Sequence, residues 1–376
     1  MADFFGILQP ELLPKTDMAT ETIHIIEPTL ERESGHYGFV ASLCHADTSN
    51  RICLWVSKRA DLSVLKKLRV EFRRFFYRRL RRVQAYFLYR KLLDLPGRLF
   101  VATAGRADLL LLNWAARQQI PPSKAYLYFH WVRPTPSKLA NFRKIARAQP
   151  NIVILGPTPS VVGVFRECGF ENARVVPVPI NPDVGLKPTQ QQPFRHLFYP
   201  GSARHDKGFS KIVDLVEYLA ARGIQIPFSV QISPDHYDKY DQASRADIVR
   251  LGNIAYPSLR TYPDTMPSAE YREKFLGAIC LQPYSVDDFA DRMSSVTLDA
   301  LSAGCPVITT AGTWMGRIVE KFDAGIALGK LTTEELFQAI NSIIKDYHRY
   351  QLNALNARKA LHEEHNAAHL LNVLAA

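Results

Sequence analysis

The chain has 376 residues, 47% hydrophobic and 22% charged, an ordinary globular balance with length for two domains. No apolar run reaches about 18 residues, which argues against a membrane span; the five scattered cysteines lack zinc spacing and suit a reducing cytoplasm. The formal net charge of +11 asks for an anionic partner: nucleic acid, anionic lipid or a phosphorylated substrate.

Residues 1–20 carry early acid and prolines without a basic opening, and read as a short extension rather than a signal peptide. Apolar strand-like runs then follow at 22–26, 51–56, 98–104, 124–132 and 151–156. Helical patterns at 34–46, 63–94, 105–119, 137–148 and 158–168 alternate with them, which argues for a parallel sheet covered on both faces. The pattern at 63–94 stands apart. Between Lys66 and Lys91 lie eleven Lys or Arg against one acid, Glu71. At helical spacing Leu65, Leu68, Phe72, Phe76, Leu80, Val83 and Phe87 make an apolar stripe, with Arg73, Arg74, Arg78, Arg81 and Arg82 crowding another side. A basic, aromatic-rich helix of this kind suits an anionic membrane surface.

The proline-rich passage 175–196 breaks both periodicities and reads as a linker. Strands are expected again at 196–201, 226–233, 258–263, 278–284 and 305–310, and helices near 207–222, 242–254, 268–276, 294–303 and 314–323. This predicts an α/β chain of two doubly wound, Rossmann-like domains, 21–185 and 186–353, facing a central cleft. A last helix within 354–376 is expected to cross back onto the first domain.

Ligands in such folds sit at the carboxyl ends of the strands. There the second half offers Gly201, Arg204 and Lys207 in "GSARHDKG", and a helix opening at Ser294 and Ser295. Two cations and a helix N-terminus suit a phosphate. Asp291 and Asp299 stand eight residues apart, roughly 80° on one continuous helix, so Asp291 should precede the helix and Asp299 ride on it. That spacing suits one acid for a sugar and one for a ribose, whose hydroxyls donate to carboxylates. Tyr262, after a strand, is placed beside the nucleotide base.

"DRMSSVTLDALSAGCPVIT", "GSARHDKG", "YLYFHWV" and "ESGHYGFVASL" together resemble the retaining glycosyltransferases of family 4, which have the GT-B fold. The hallmark there is Glu–x7–Glu; here Asp291 and Asp299 fill the two acid positions, and Arg292, Met293 and Ser294 stand where glycines are usual. The resemblance implies Asp291 on the donor sugar, Asp299 on the ribose, and Arg204 and Lys207 as the diphosphate clamp. It also implies His130 beside the sugar, and Gly35 and His36 near the phosphates. The implied reaction is metal-independent and needs no cofactor: a hexose passes from a nucleotide diphosphate sugar to a glycan or lipid-linked acceptor with anomeric retention. The expected location is cytoplasmic, peripheral on the inner face of the plasma membrane. Competing readings are an inverting transferase or epimerase of the same architecture, a catalytically inactive binding subunit, and a basic nucleic-acid-binding protein. For the last, the chain offers no recognition module, so no nucleic-acid partner is expected.

Overall fold

The computed structural model describes residues 21–30, 35–62, 65, 68, 70–180, 191–232 and 242–376. The N-terminal extension, residues 181–190 of the proline-rich linker and part of 63–69 lie outside the described residues. Near-continuous apolar runs become strands, most of them buried on both faces. The first seven are β1 (Ile23–Glu27), β2 (Ile52–Ser57), β3 (Glu71–Phe76), β4 (Arg98–Val101), β5 (Ala125–Tyr128), β6 (Val153–Gly156) and β7 (Ala173–Val175). They form one sheet in the order β3-β2-β1-β4-β5-β6-β7. The next six are β8 (His196–Tyr199), β9 (Phe228–Gln231), β10 (Leu259–Tyr262), β11 (Ala278–Gln282), β12 (Val307–Thr310) and β13 (Gly325–Leu328), ordered β10-β9-β8-β11-β12-β13. Every pairing is parallel. The carboxyl ends of each sheet therefore share one edge, and strand order reverses between β1 and β4 and between β8 and β11.

Helix α1 (Gly35–Ala46) packs on one face of the first sheet. On the other lie α2 (Arg81–Asp94), α3 (Arg106–Ala115), α4 (Pro136–Ala148) and α5 (Pro159–Arg166). In the second half α6 (Phe209–Ala221) and α7 (Gln242–Gly252) share a core. Next in chain order come α8 (Ser268–Glu273), α9 (Val286–Phe289), α10 (Ser295–Ser302), α11 (Trp314–Phe322), α12 (Thr333–Lys345), α13 (Tyr347–Glu364) and α14 (Ala367–Ala375). Of these α12 joins α6, whereas α10, α11 and most of α13 build the opposite core. Leu370, Leu371 and Leu374 of α14 return to the first sheet and pack with α1.

Two of the expected helices differ in the structure. The single helix over 63–94 does not form: Glu71–Phe76 is an edge strand beside β2, and the helix begins only at Arg81. An aromatic-rich run favours a pleated, half-buried surface, and the four-residue spacing of Phe72 and Phe76 mimics a helical stripe there by coincidence. Buried Gln84 fastens the turn, donating to the Phe75 carbonyl at 2.9 Å and accepting the Tyr77 N–H at 2.7 Å. Arg73 and Arg74 consequently sit on a strand and not on the basic helix. The last helical pattern divides at His365, because Asn366 caps a new helix by accepting the Ala368 N–H at 2.9 Å.

Candidate active site between the two sheets

Strand β8 feeds a tight loop at the second switch point. The chain passes Gly201 at φ 104° into a single 3-10 turn, His205–Lys207, and leaves it through Gly208 at φ 68°. A side chain at Gly208 would collide with the Pro283 carbonyl, so glycine lets this turn lie against the segment after β11. The Ser285 N–H donates to the Asp206 carbonyl at 3.0 Å and ties the two loops together. Lys207 Nζ stands 3.2 Å from where a Cβ on Gly201 would be and 5.6 Å from the Tyr284 ring centre. The Arg204 guanidinium grips the Asp206 carboxylate, its Nε 2.8 Å from Oδ1. Three of the predicted residues, Gly201, Arg204 and Lys207, thus come together.

Helix α10 starts beside them. Buried Ser294 is its N-cap, yet the hydroxyl accepts from Gln282 Nε2 at 3.2 Å and makes no capping bond to its own helix. Gln282 is held in turn by Thr297, whose hydroxyl donates to Oε1 at 2.8 Å. The first amides of α10 are left without a side-chain cap, and Ser295 is exposed among them. Asp299 rides on the helix, half-buried, accepting from the Tyr271 hydroxyl at 3.2 Å. Burial pushes its carboxyl up to about 7. Asp291 precedes the helix and is exposed, paired with Arg317 at 3.0 Å. Tyr262 ends β10, two strands from β8, with Lys274 and Arg260 over its ring at 5.0 and 5.4 Å; it is not at the clamp.

The first sheet contributes the opposite wall. His130 follows β5, packed against Tyr128, Phe39 and His36 with ring centres 4.8, 4.9 and 5.4 Å away. Burial, then the neighbouring His36, pushes its pKa down to about 3, so the imidazole is neutral near pH 7. Its Nε2 lies 3.0 Å from the Ala102 carbonyl, which can only accept; Nδ1 is therefore the bare nitrogen. Gly35 opens α1, followed at once by His36, whose Nδ1 is 3.4 Å from the Thr103 hydroxyl. That hydroxyl spends its proton on Glu27, a fully buried carboxylate that also takes the Thr29 N–H at 3.1 Å. Hence Nδ1 of His36 donates and Nε2 is bare.

Sequence reasoning missed Glu27, Thr103, Asp206, Trp131 and the contact role of Arg292. A polar residue closing the apolar strand at Glu27 was the available signal for one of them. Across the cleft rim Arg133 pairs with Asp288, and the Thr158 hydroxyl reaches the Asp291 carbonyl at 3.5 Å. Arg292 lies 5.0 Å over the Trp131 ring.

The basic surface is smaller than expected but set on the same edge. Arg73 pairs with Glu71, and Arg74 donates to the Lys58 and Ala60 carbonyls at 3.4 and 3.1 Å. Beyond the carboxyl end of β3, Tyr77, Leu80, Val83 and Phe87 are all exposed, flanked by Arg78, Arg79, Arg81 and Arg82. From Tyr77 to Pro150 the acids are Asp94 and Asp108, and Asp108 is tied to Tyr89 and the Gly105 N–H at 2.9 Å each.

No protein-family model matches the chain, and no curated protein matches it. Solved structures do. HepE of Anabaena, in complex with UDP-glucose, aligns with TM-score 0.69 over 94% of this chain and 98% of its own, at 13% identity. Sucrose-phosphate synthase of Thermosynechococcus elongatus gives 0.69 over 94% and 98%, at 14% identity. WaaG, a glycosyltransferase involved in lipopolysaccharide biosynthesis, gives 0.62 over 93% and 98%, at 13%. The fold is GT-B. Two parallel doubly wound sheets with flanking helices are that architecture.

Proposed function

We propose that the chain is a glycosyltransferase moving a hexose-type sugar from a nucleotide diphosphate sugar to a glycan or lipid-linked acceptor. One observation carries this reading: Arg204, Lys207 and the start of α10 lie at the switch point of the second sheet, His36 and His130 follow strands beside that of the first, and Arg292 over Trp131 links the two halves. Arg204, Lys207 and the α10 amides would stabilise the charge that grows on the departing diphosphate. Asp299 would take the ribose hydroxyls, Asp291 and the bare nitrogen of His130 those of the sugar. The chain supplies the positive charge itself, and the reaction is proposed to need no metal ion. A protein of the same fold, HepE, binds UDP-glucose, which supports this donor class.

Retention belongs to the proposal. The acceptor oxygen bonds to the anomeric carbon on the face the diphosphate leaves, and the leaving phosphate takes the acceptor's proton. A second reading, inversion, is favoured by the Glu27–Thr103–His36 chain, which leaves Nε2 of His36 positioned as a base. The anomeric configuration of the product, read by NMR, separates the two.

The exposed apolar residues among Arg78, Arg79, Arg81 and Arg82 suit docking on an anionic bilayer, which would bring a membrane-borne acceptor to the rim of the crevice. No helix among the described residues is long and apolar enough to cross a membrane. We place the enzyme peripherally on the cytoplasmic face of the plasma membrane, in cell-surface polysaccharide or glycolipid synthesis.

A thermal-shift panel of nucleoside diphosphates and their sugars at pH 6 and pH 8 tests the donor reading. A ligand at a hundredfold excess over its Kd adds about 2.7 kcal/mol. Asp299 gains its charge only as pH rises through about 7, and the carboxylate is the form that accepts from a diol, so tighter binding is expected at pH 8. The ligand-free protein should move the other way. A folded-state pKa raised above the unfolded value contributes stability at low pH that is lost between roughly pH 4 and 7. Absence of any nucleotide-induced shift at both pH values would end the proposal.

A further inference from the structure

We infer that Arg292 is a third cation of the diphosphate site, steadied across the crevice by Trp131 and balanced by Asp206 until an anion arrives. This rests on the nucleotide-sugar reading and adds a residue to that same site. Arg292 directly follows Asp291, at the point where the family pattern has glycine. Its guanidinium carbon lies 5.0 Å over the Trp131 ring and 4.8 Å over the Phe289 ring, so two aromatic faces hold one planar cation. Trp131 belongs to the first sheet's loops and Phe289 to the second's. The side chain therefore spans the two halves where they meet.

The charge arrangement says what the cation is for. Arg292 Nη1 is 3.8 Å from Asp206 Oδ2, and the same carboxylate is gripped by Arg204. Two guanidiniums converge on one acid, within a 3-10 turn that also carries Lys207. On the same rim Asp288 is paired with Arg133 and Asp291 with Arg317. Burial, and next the charge of Arg204, holds the Arg292 pKa below its usual value, the mark of a desolvated cation crowded by another. Two guanidiniums meeting at a carboxylate suit a ligand bearing two or three charges. The oxygens of Asp206 occupy the place where phosphate oxygens would receive both forks. A diphosphate would displace that carboxylate, which then raises the threshold for singly charged anions.

Titration calorimetry of the full chain with UDP and with inorganic pyrophosphate tests this. Arg292→Ala should weaken both by about tenfold to a hundredfold, the loss of a hydrogen bond to a charged group, while keeping the wild-type Tm without ligand. Arg292→Lys should recover binding only in part, since an ammonium has no planar fork to lay between rings. Trp131→Ala should weaken binding, and Trp131→Phe should restore most of it. Asp206→Asn should bind pyrophosphate at least as tightly as the wild type. A wild type that binds UDP and an Arg292→Ala variant that binds it equally well would overturn the assignment and leave the donor reading intact. Weaker binding by Asp206→Asn would overturn its role as a displaceable counter-ion. A wild type that binds neither probe would overturn the donor reading itself.

Discussion

Lys207→Ala is expected to lower kcat for sugar transfer by about 10²–10³, with no loss of stability in the ligand-free protein. The ammonium sits at the last residue of the 3-10 turn, one glycine before α6. The positive end of a helix repels a cation there unless an anion is bound. Gly201, with φ 104° and its missing Cβ 3.2 Å from Nζ, leaves the ammonium room beside the backbone. Charge on the diphosphate grows as the glycosidic bond breaks, so the loss should fall on kcat more than on KM. The ligand-free Tm should hold or rise slightly. Steady-state kinetics with unchanged kcat, or a protein that no longer folds, would contradict this account of the residue.

Replacing Arg78, Arg79, Arg81 and Arg82 together by serine is expected to cut binding to anionic vesicles by about a thousandfold, at roughly a fivefold loss per residue. These side chains surround Leu80, Val83 and Phe87, which face water although they are large and apolar. An exposed apolar group ringed by arginine fits the boundary between headgroups and acyl chains, where it gains burial and charge attraction together. Flotation with neutral lipid should fail for both proteins, because the apolar contribution alone is small. Arg74→Ser serves as the control. Its guanidinium is spent on the Lys58 and Ala60 carbonyls, so flotation should persist. Equal flotation by the quadruple variant, or none by the wild type on anionic lipid, would remove this surface from the account.

The parallel sheets were legible because strands such as Ile52–Ser57 and Ala278–Gln282 are almost wholly apolar, a pattern that burial on both faces requires. The clamp was legible for a related reason: "GSARHDKG" follows such a strand at once, and its glycines announce backbone turns. The edge strand β3 was not. Its Phe72 and Phe76 satisfy a helical repeat, and only pairing with β2 reveals the strand. Three-residue β7 lacks the length to stand out from its flanks, and β13 opens on a glycine and is only half-buried. The site's remaining residues depend on partners far along the chain. Arg292 gains meaning from Trp131 and Asp206, and Glu27 from Thr103, pairings that no local pattern encodes. Asp299 was found by its spacing from Asp291, whereas its raised pKa comes from burial and was invisible in the spacing.

The most direct measurement is a crystal structure with UDP-glucose, or with the nucleotide sugar that gives the largest thermal shift. The pyrophosphate is expected within about 3 Å of the Arg204, Lys207 and Arg292 nitrogens, with the ribose hydroxyls on Asp299. Density for that pyrophosphate at another surface, while the crevice between β8 and β11 held only solvent, would contradict the account at its root.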